Sequence, residues 1–286
     1  MTAIYPLISG RHGRFFINKN DTYVGKSLQL YGEWSEVEID LFAQFVRPGD
    51  SIIEAGANIG SHTVWLAKQA GESGTVIAFE PARHTFQLLC ANLVANECLN
   101  VIALQQALSD TVGFVNFPML DPRGNWNFGG ASLKKTWTDR SESVACTTLD
   151  SLDLARIDFI KADVEGVEIE LLHGGKRLIG QHRPIVYLEI NTVEVRNRAV
   201  EFFDKLGYGC WYYITPMFAA DNYLGRTEDI FQDYSFDMLC LPDEKFLVEG
   251  MARAAINDKT LTFSEQQIAW ATPDPKNARI TRKDIR

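Results

Sequence analysis

From Ser51 onward the chain alternates between two hydrophobic rhythms. Short segments that are apolar almost throughout, such as RPIVYLEI at Arg183 to Ile190 and DFIKAD at Asp158 to Asp163, read as strands covered on both faces. Between them, positions such as Ile59, Thr63, Leu66, Ala67 and Ala70 recur at helical spacing. These patterns predict strands at 51–55, 75–80, 100–106, 157–162, 184–190 and 208–214, and helices at 59–71, 83–96, 167–174 and 194–206. An earlier helix is expected over Ser35 to Val46, with Val37, Leu41, Phe42 and Phe45 on one face and Arg47 to Asp50, RPGD, ending it. Residues 1–30 read as short strands or loops, and Phe236 to Pro242 as a further strand suited to an antiparallel edge. Strand and helix in alternation predict an α/β sandwich on a mostly parallel sheet.

Two segments break the rhythm. Residues 107–150 are long for one crossover, with short strands expected at Gly113 to Phe117 and Ser143 to Leu149 around an inserted loop, 118–142. Residues 215–235 form a second long, aromatic-bearing connection. Long loops in compact domains commonly bind substrate. The first is read that way, and the second is left between a substrate role and decoration or a subunit contact. The expected organisation is a cap segment at 1–46, a main domain at 47–242 carrying the insertion, and an extension at 243–286.

The first strand runs into glycines in SIIEAGANIGSHT, Ser51 to Thr63. Helix-start N–H groups lack partners, so such a turn invites an anionic or nucleotide ligand. The dinucleotide pattern G-x-G-x-x-G fails twice, at Asn58 and Ser61. What stands instead is E-x-G-x-N-x-G, with Glu54 at the strand end. The next strand ends in Glu80, twenty residues after Gly60, where an acid can accept from both hydroxyls of a ribose, and Pro81 opens the following helix. Glycines also simply make such turns. The joint spacing of Glu54, Gly56, Gly60 and Glu80 is what points to a nucleoside-type cofactor.

Composition narrows the partners. With 286 residues, 46% of them hydrophobic, the chain can bury a substantial core. A formal charge of −9 excludes nucleic acid as the default partner, and the one basic cluster, Lys276 to Arg286, reads as a frayed terminus. No run is long enough to span a membrane, and the N-terminus lacks the apolar core of a signal peptide. The five cysteines are scattered without a C-x-x-C pair, which fits a reduced, cytoplasmic protein. A homo-oligomer is compatible with all of this.

Further blocks carry a resemblance. IDFIKADVEGVEIELLHGG at Ile157 to Gly175 precedes RPIVYLEI. YGEWSEVE at Tyr31 to Glu38, FVRPGDSIIEAGANIGSHT, ALSD at Ala107 to Asp110, NFGGASL at Asn127 to Leu133 and TTLDSL at Thr147 to Leu152 stand in matching order. Over about residues 30–242 the chain resembles the FkbM family of S-adenosylmethionine-dependent methyltransferases. Glu54 stands where aspartate is often seen, a change that keeps the charge, and residues 243–286 lie outside the resemblance. The resemblance implies a class I methyltransferase (Rossmann-like) fold: seven strands, six of them parallel, with an antiparallel hairpin partner at the edge. It also implies S-adenosyl-L-methionine as cofactor and O-methylation of a hydroxyl on a sugar or natural product. Nitrogen on a peptide or natural product is the alternative acceptor, and a non-catalytic module of the same fold is the alternative from another class. Glu54, Gly56, Ala57, Asn58, Gly60, Glu80, Pro81, Ala107 and Asp163 are the expected cofactor contacts.

Methyl transfer is an in-line displacement that needs alignment and a place for the hydroxyl proton. In open α/β sheets the ligand lies beyond the carboxyl ends of the strands. KADVEG puts Asp163 at such an end, and Glu165 in the turn that Gly166 relieves. Glu165 is the expected base and Asp163 the group that contacts cofactor or orients the acceptor. Capping of the next helix by Glu165 is the structural alternative. Lys161 stays open between a site role and a structural pair with Asp163. Glu189 and Asn191 at the next tip, with Asn127 and Ser132 from the insertion, are expected to hold the acceptor. Asp163, Glu189 and Asn191 are similar to the oxygen set that some catechol-type methyltransferases use for Mg²⁺, yet no metal is assigned. His62 can face the site, but it, His173 and the exposed-looking His12, His84 and His182 read as structural. Trp126, Phe128, Trp137 and Tyr223 suit either sugar stacking or a satellite core.

Overall fold

A computed structural model describes residues 4–132, 140–256, 258 and 275–283; Leu133 and Trp137 lie outside them. A hairpin of β1 (Leu7–Gly10) and β2 (Gly13–Phe16) leads into α1 (Val24–Tyr31) and α2 (Glu36–Phe42). Then β3 (Ser51–Ala55), α3 (Ser61–Ala70), β4 (Thr75–Phe79), α4 (Arg83–Ala95) and β5 (Val101–Leu104) alternate. A side sheet follows, of β6 (Gln106–Leu108), β7 (Gly113–Pro118) and β8 (Ser141–Thr147). The chain returns through β9 (Phe159–Ala162), α5 (Glu168–Gly174), α6 (Lys176–His182), β10 (Ile185–Glu189), α7 (Val193–Asp204), β11 (Tyr208–Pro216) and β12 (Tyr234–Pro242). A last antiparallel pair joins β13 (Phe246–Glu249) to β14 (Arg279–Arg282).

The main sheet has seven strands in the order β11-β12-β10-β9-β3-β4-β5. Neighbours among β3, β4, β5, β9 and β10 are parallel, and β12 is antiparallel to both β10 and β11. The hairpin therefore closes one edge, with β12 one position in and β11 outermost. Strand alternation splits the core into two layers. Ile52, Val76 and Phe159 face one layer with Phe42 and Leu66, while Ile53, Ile77 and Ile160 face the other with Leu171, Leu178 and Phe203. Phe159 packs on Phe42 and Phe45 with ring centroids 5.2 and 5.0 Å away. Truncating it to alanine should cost about 3–5 kcal/mol.

Where the structure departs from the sequence expectation, a local cause is visible. The strand expected over 100–106 divides, because Gln105 and Gln106 break the apolar run and the chain leaves the main sheet there. The helix expected from Ser35 to Val46 stops at Phe42, as residues 43–46 already turn toward Pro48. α1 forms within a segment read as strand or loop; Val24, Leu28 and Tyr31 bury one face, and Gly32 at φ 74° ends it. α6 follows α5 with only Gly175 between them. His12, His84 and His182 are half-buried, and His12 pairs with Glu36 at 2.8 Å. β11 does not present a bare edge: Tyr212 N–H donates to the Ala252 carbonyl and Ala254 N–H to the Cys210 carbonyl, so residues beyond β13 shield it. Among the described residues no helix is long and apolar enough to cross a membrane.

Parallel strands leave their carboxyl ends on one side. The chain lays β4 and β5 to one side of β3, then places β9 and β10 on the other. That reversal makes a crevice between β3 and β9, the place where open α/β sheets hold ligands.

Candidate active site

The turn after β3 is set by backbone geometry. Gly56, Asn58 and Gly60 all have positive φ, at 83°, 51° and 88°. A Cβ on Gly56 would lie 1.8 Å from the Asp163 carbonyl oxygen, so only glycine fits between the β3 and β9 ends. Asn58 tolerates the left-handed region better than most side chains, and its Oδ1 accepts from Ile59 N–H at 2.7 Å. Gly56 and Ala57 N–H both donate to the Phe79 carbonyl at 2.9 Å, tying the turn to the end of β4.

Glu80 completes the clamp. Its two oxygens accept from Asn58 N–H at 2.9 Å and Ala82 N–H at 2.8 Å. Burial pushes its carboxyl up to about 7, although both N–H bonds favour the charged form. Glu54, 1% exposed, is pushed up to about 7 for the same reason, with Lys161 opposing the rise. Among the described residues its Oε2 finds no hydrogen-bond partner. Two buried acids, one with an unpartnered oxygen, flank a turn that admits no side chain at Gly56. This is the kind of cradle that a ligand carrying donors and a positive charge would complete.

Two cavities meet here. A narrow slot is lined by Pro81, Ala107, Leu108, Phe117, Phe128 and Gly129. A larger, polar cavity of about 490 Å³ opens on the other side. Gly56, Glu80, Gly129, Asp163 and Glu165 line both. Glu54, Ala57, Asn58, Glu189 and Asn191 line the larger one, as does Asn127. Gly60 packs beneath, where a Cβ would meet Leu89 at 2.8 Å. Ser132 is buried and its hydroxyl donates to the Glu165 carbonyl, so it braces that turn from below. The insertion thus supplies Phe128 to the slot and Asn127 to the cavity.

The far end is rich in carboxylates. Oxygens of Asp163, Glu165 and Glu189 lie within 4.8 Å of one another. Burial, then Asp163 and Glu165, holds Glu189 well above the usual carboxylate range. Lys161, 2% exposed, donates to Asp163 Oδ2 at 3.1 Å. Burial alone would lower its ammonium, but Asp163, Glu38 and Glu54 outweigh that and hold it above its ordinary value. Three such oxygens suit a hard divalent cation or an ammonium group alike, so the cluster by itself names neither. Glu165 has φ 53° and is followed by Gly166 at 98°, a backbone that turns its side chain out of the strand line.

Several wall residues have no signal in local spacing. Tyr23, Trp34, Ser35 and Glu38 come from the N-terminal segment, and Met217 and Asp233 from the connection between β11 and β12. His62 also lines the cavity. Trp126 anchors the insertion instead, its carbonyl accepting from Thr22 N–H at 2.9 Å, and Tyr223 is half exposed beside Gly32. Their aromatic and polar types were the one available clue, and it does not separate wall from brace.

The family model for the Methyltransferase FkbM domain matches residues 54–238. Methyltransferase sdnD of Sordaria araneosa is 32% identical over 155 residues, covering 43% of this chain and 59% of that protein. Hexuronic acid methyltransferase AglP of Haloferax volcanii is 27% identical over 171 residues, covering 58% of this chain and 66% of that protein. The matched region therefore spans about three fifths to two thirds of those relatives. Among solved structures, the methyltransferase FkbM of Methylobacillus flagellatus KT aligns with a TM-score of 0.42 and 16% identity, covering 69% of this chain and 49% of that one.

Proposed function

The chain belongs to the FkbM methyltransferase family, and from that premise we propose that it transfers a methyl group from S-adenosylmethionine to a hydroxyl of a sugar or natural product. The observation that carries the reading is the junction of slot and cavity at Gly56, with Glu80 on one side and the unpartnered Glu54 oxygen on the other. Pro81, Ala107, Phe117 and Phe128 would take the adenine. Glu80 has lone pairs left for the ribose hydroxyls, and Glu54 would face the amine over the Gly56–Gly60 turn. When bound, the cofactor supplies an electrophilic methyl on a sulfonium.

The remaining work falls to this chain's side chains. Glu165, shared by slot and cavity, takes the hydroxyl proton as the acceptor oxygen attacks. Asp163, held by Lys161, orients that oxygen, and Glu189 and Asn191 hold neighbouring hydroxyls. Residues 1–46 act as an acceptor-side cap, since Tyr23, Trp34 and Glu38 reach the cavity. The Haloferax relative's name makes a sugar the first acceptor class to try. N-methylation is the second reading, because the carboxylate cluster would also receive an amine. The test is calorimetry with S-adenosylhomocysteine, NAD and NADP, followed by transfer of labelled methyl to hydroxylated and amine acceptors. Binding of NAD in place of S-adenosylhomocysteine would overturn the assignment.

A further inference from the structure

Cys210 and Cys240 are 30 residues apart in sequence and directly opposite each other in the sheet, on β11 and β12. Both are buried, at 3% and 0% exposure, in the layer that holds Val186, Tyr212 and Met238. Main-chain bonding shows which kind of pair they form. The Cys210 carbonyl accepts from Ala254 N–H at 2.8 Å, and Tyr212 N–H donates to the Ala252 carbonyl at 2.9 Å. The main-chain groups of Cys210 therefore point away from β12. Asp243 N–H donates to the Gly207 carbonyl at 3.2 Å, and the next pair sets Tyr208 against Pro242, which has no N–H. Bonded and non-bonded pairs alternate along antiparallel strands, so Cys210 and Cys240 are a non-hydrogen-bonded pair.

In such a pair the Cα atoms stand about 4.5 Å apart, within the roughly 4.4–6.8 Å that a disulfide spans. Cys210 already hydrogen-bonds the Cys240 thiol. Access differs between the two. Cys210 lines a cavity of about 400 Å³ with Val200, Asp204, Arg253, Ala254 and Ile256. Cys240 lies one strand deeper, between β11 and β10. An oxidant that enters this cavity meets Cys210 first, and Cys240 stands where it can resolve the product. Local opening of residues 252–254, a small event beside unfolding of the sheet, widens the path.

We propose that Cys210 and Cys240 are a redox-active pair, closed by hydrogen peroxide to a cross-strand disulfide and reopened by a thiol reductant. The Cys210 sulfur attacks a peroxide oxygen, the O–O bond breaks, and water leaves a sulfenic acid on Cys210. The Cys240 sulfur then attacks the Cys210 sulfur and the S–O bond breaks. The departing hydroxyl takes the Cys240 proton as a second water. Two thiols lose two electrons, and one peroxide is reduced to two waters. The new bond closes a loop over residues 211–239, which carries Met217, Asp233, Tyr234 and Ser235 on the wall of the large cavity. Cross-linking a loop of that length restricts the unfolded chain, so oxidation staples the acceptor-side wall against unfolding. No step uses a methyl donor, and failure here leaves the methyltransferase reading untouched.

Cys90, half-buried on α4, is the most exposed thiol and is first replaced by Ser. The Cys90→Ser protein is treated with hydrogen peroxide, quenched with catalase, alkylated in urea and digested without reductant. Mass spectrometry should find a peptide pair joined from Cys210 to Cys240 that disappears after dithiothreitol. Alkylation of both residues throughout overturns the proposal. So does a sulfinic acid on Cys210 beside an alkylated Cys240, or Cys210 joined to a different cysteine. In urea unfolding, the oxidised protein should show a midpoint raised by about 1 M over the reduced one. Cys210→Ala in the same background should show no rise on oxidation. An equal rise in that variant, or no rise in a protein shown to hold the bond, overturns the staple. The peptide map is read on the Cys90→Ser protein alone, so it decides the bond whether or not Cys210→Ala folds.

Discussion

The two halves of the cavity are built by different means. The cofactor half is backbone architecture drawn from Glu54 to Gly60 and Glu80 to Ala82. Each position there is forced by a positive φ, a close approach or a main-chain hydrogen bond. The acceptor half is a set of side chains from segments nearly 200 residues apart, held by cross-ties. Tyr223 N–H and Arg11 Nε both donate to Glu33 at 2.8 Å. Tyr23 stacks on Phe231 at 5.4 Å, and Leu224 N–H donates to the Tyr31 carbonyl at 3.1 Å. Backbone cradles accept little substitution. A wall of loop side chains can change its chemistry without disturbing the sheet. The same division lets one fold hold one cofactor and meet different acceptors.

The sharpest way to break this division is at the residues between the halves. Glu165→Gln and Asp163→Asn preserve shape and should lower the chemical rate by on the order of 10²–10⁴-fold, the range for a positioned base. S-adenosylhomocysteine affinity, read by calorimetry, should stay close to that of the parent. An equal loss of both would mean that these carboxylates serve the cofactor half alone. Restoration of rate by added Mg²⁺, after suppression by a chelator, would show that the Asp163–Glu165–Glu189 cluster holds a cation.

Within the cofactor half the expected effect is smaller and confined to binding. Glu80→Ala removes the partner of two N–H groups and of the proposed ribose hydroxyls. Affinity for S-adenosylhomocysteine should fall by roughly 1–3 kcal/mol. Glu80→Gln, which keeps one acceptor oxygen, should fall less. If Glu80→Ala binds as tightly as the parent, the ribose assignment is lost.

A pH series sharpens the same half. Glu54 and Glu80 are both raised to about 7 in the ligand-free protein. At pH 6 each is mostly protonated, while an amine and ribose hydroxyls favour the ionised forms. Binding must therefore release protons there, and affinity should rise as pH climbs from 6 to 8. The limit is about tenfold per unit for each group. Calorimetry in buffers of different ionisation enthalpy reads both the rise and the proton release. Affinity that is flat or falling over this range would mean that neither carboxylate faces the cofactor.

The contrast also explains what the sequence could reveal. Gly56, Asn58, Gly60 and Glu80 lie within 25 residues, and their spacing is dictated by one βα turn and the next strand end, so local pattern suffices. Strand and helix positions in the parallel part were legible for the same reason, since nearly unbroken apolar runs such as Ile185 to Leu188 leave few alternatives. Tyr23, Trp34 and Asp233 carry no such spacing; they meet only because α1 and the β11–β12 connection fold over the same strand ends. His62 lines the cavity, which depends on what packs over the first turn of α3 and not on local spacing. The division of residues 100–108 between two sheets depended on where an edge strand leaves, which hydrophobicity alone does not mark.

The smallest expected effect tests whether the halves are separable at all. Tyr31 is buried, and its hydroxyl donates to the Glu228 carbonyl and accepts from Ile230 N–H, both at 2.9 Å. Its ring also meets Phe218 and Phe231 edge-on at 5.3 and 6.0 Å. Tyr31→Phe keeps the ring contacts and removes only the tie between α1 and the β11–β12 connection. It leaves Ile230 N–H without its acceptor, so urea unfolding should show a loss of about 1 kcal/mol. Because the tie supports Tyr23 and Asp233 rather than the glycine turn, KM for the acceptor should rise several-fold while S-adenosylhomocysteine affinity stays within about twofold. If both affinities fall together, the cavity is one mechanical unit, and the separation drawn from its construction fails. If stability falls but neither affinity moves, the acceptor wall is held by its remaining ties, of which Glu33 with Arg11 and Tyr223 is the next to remove.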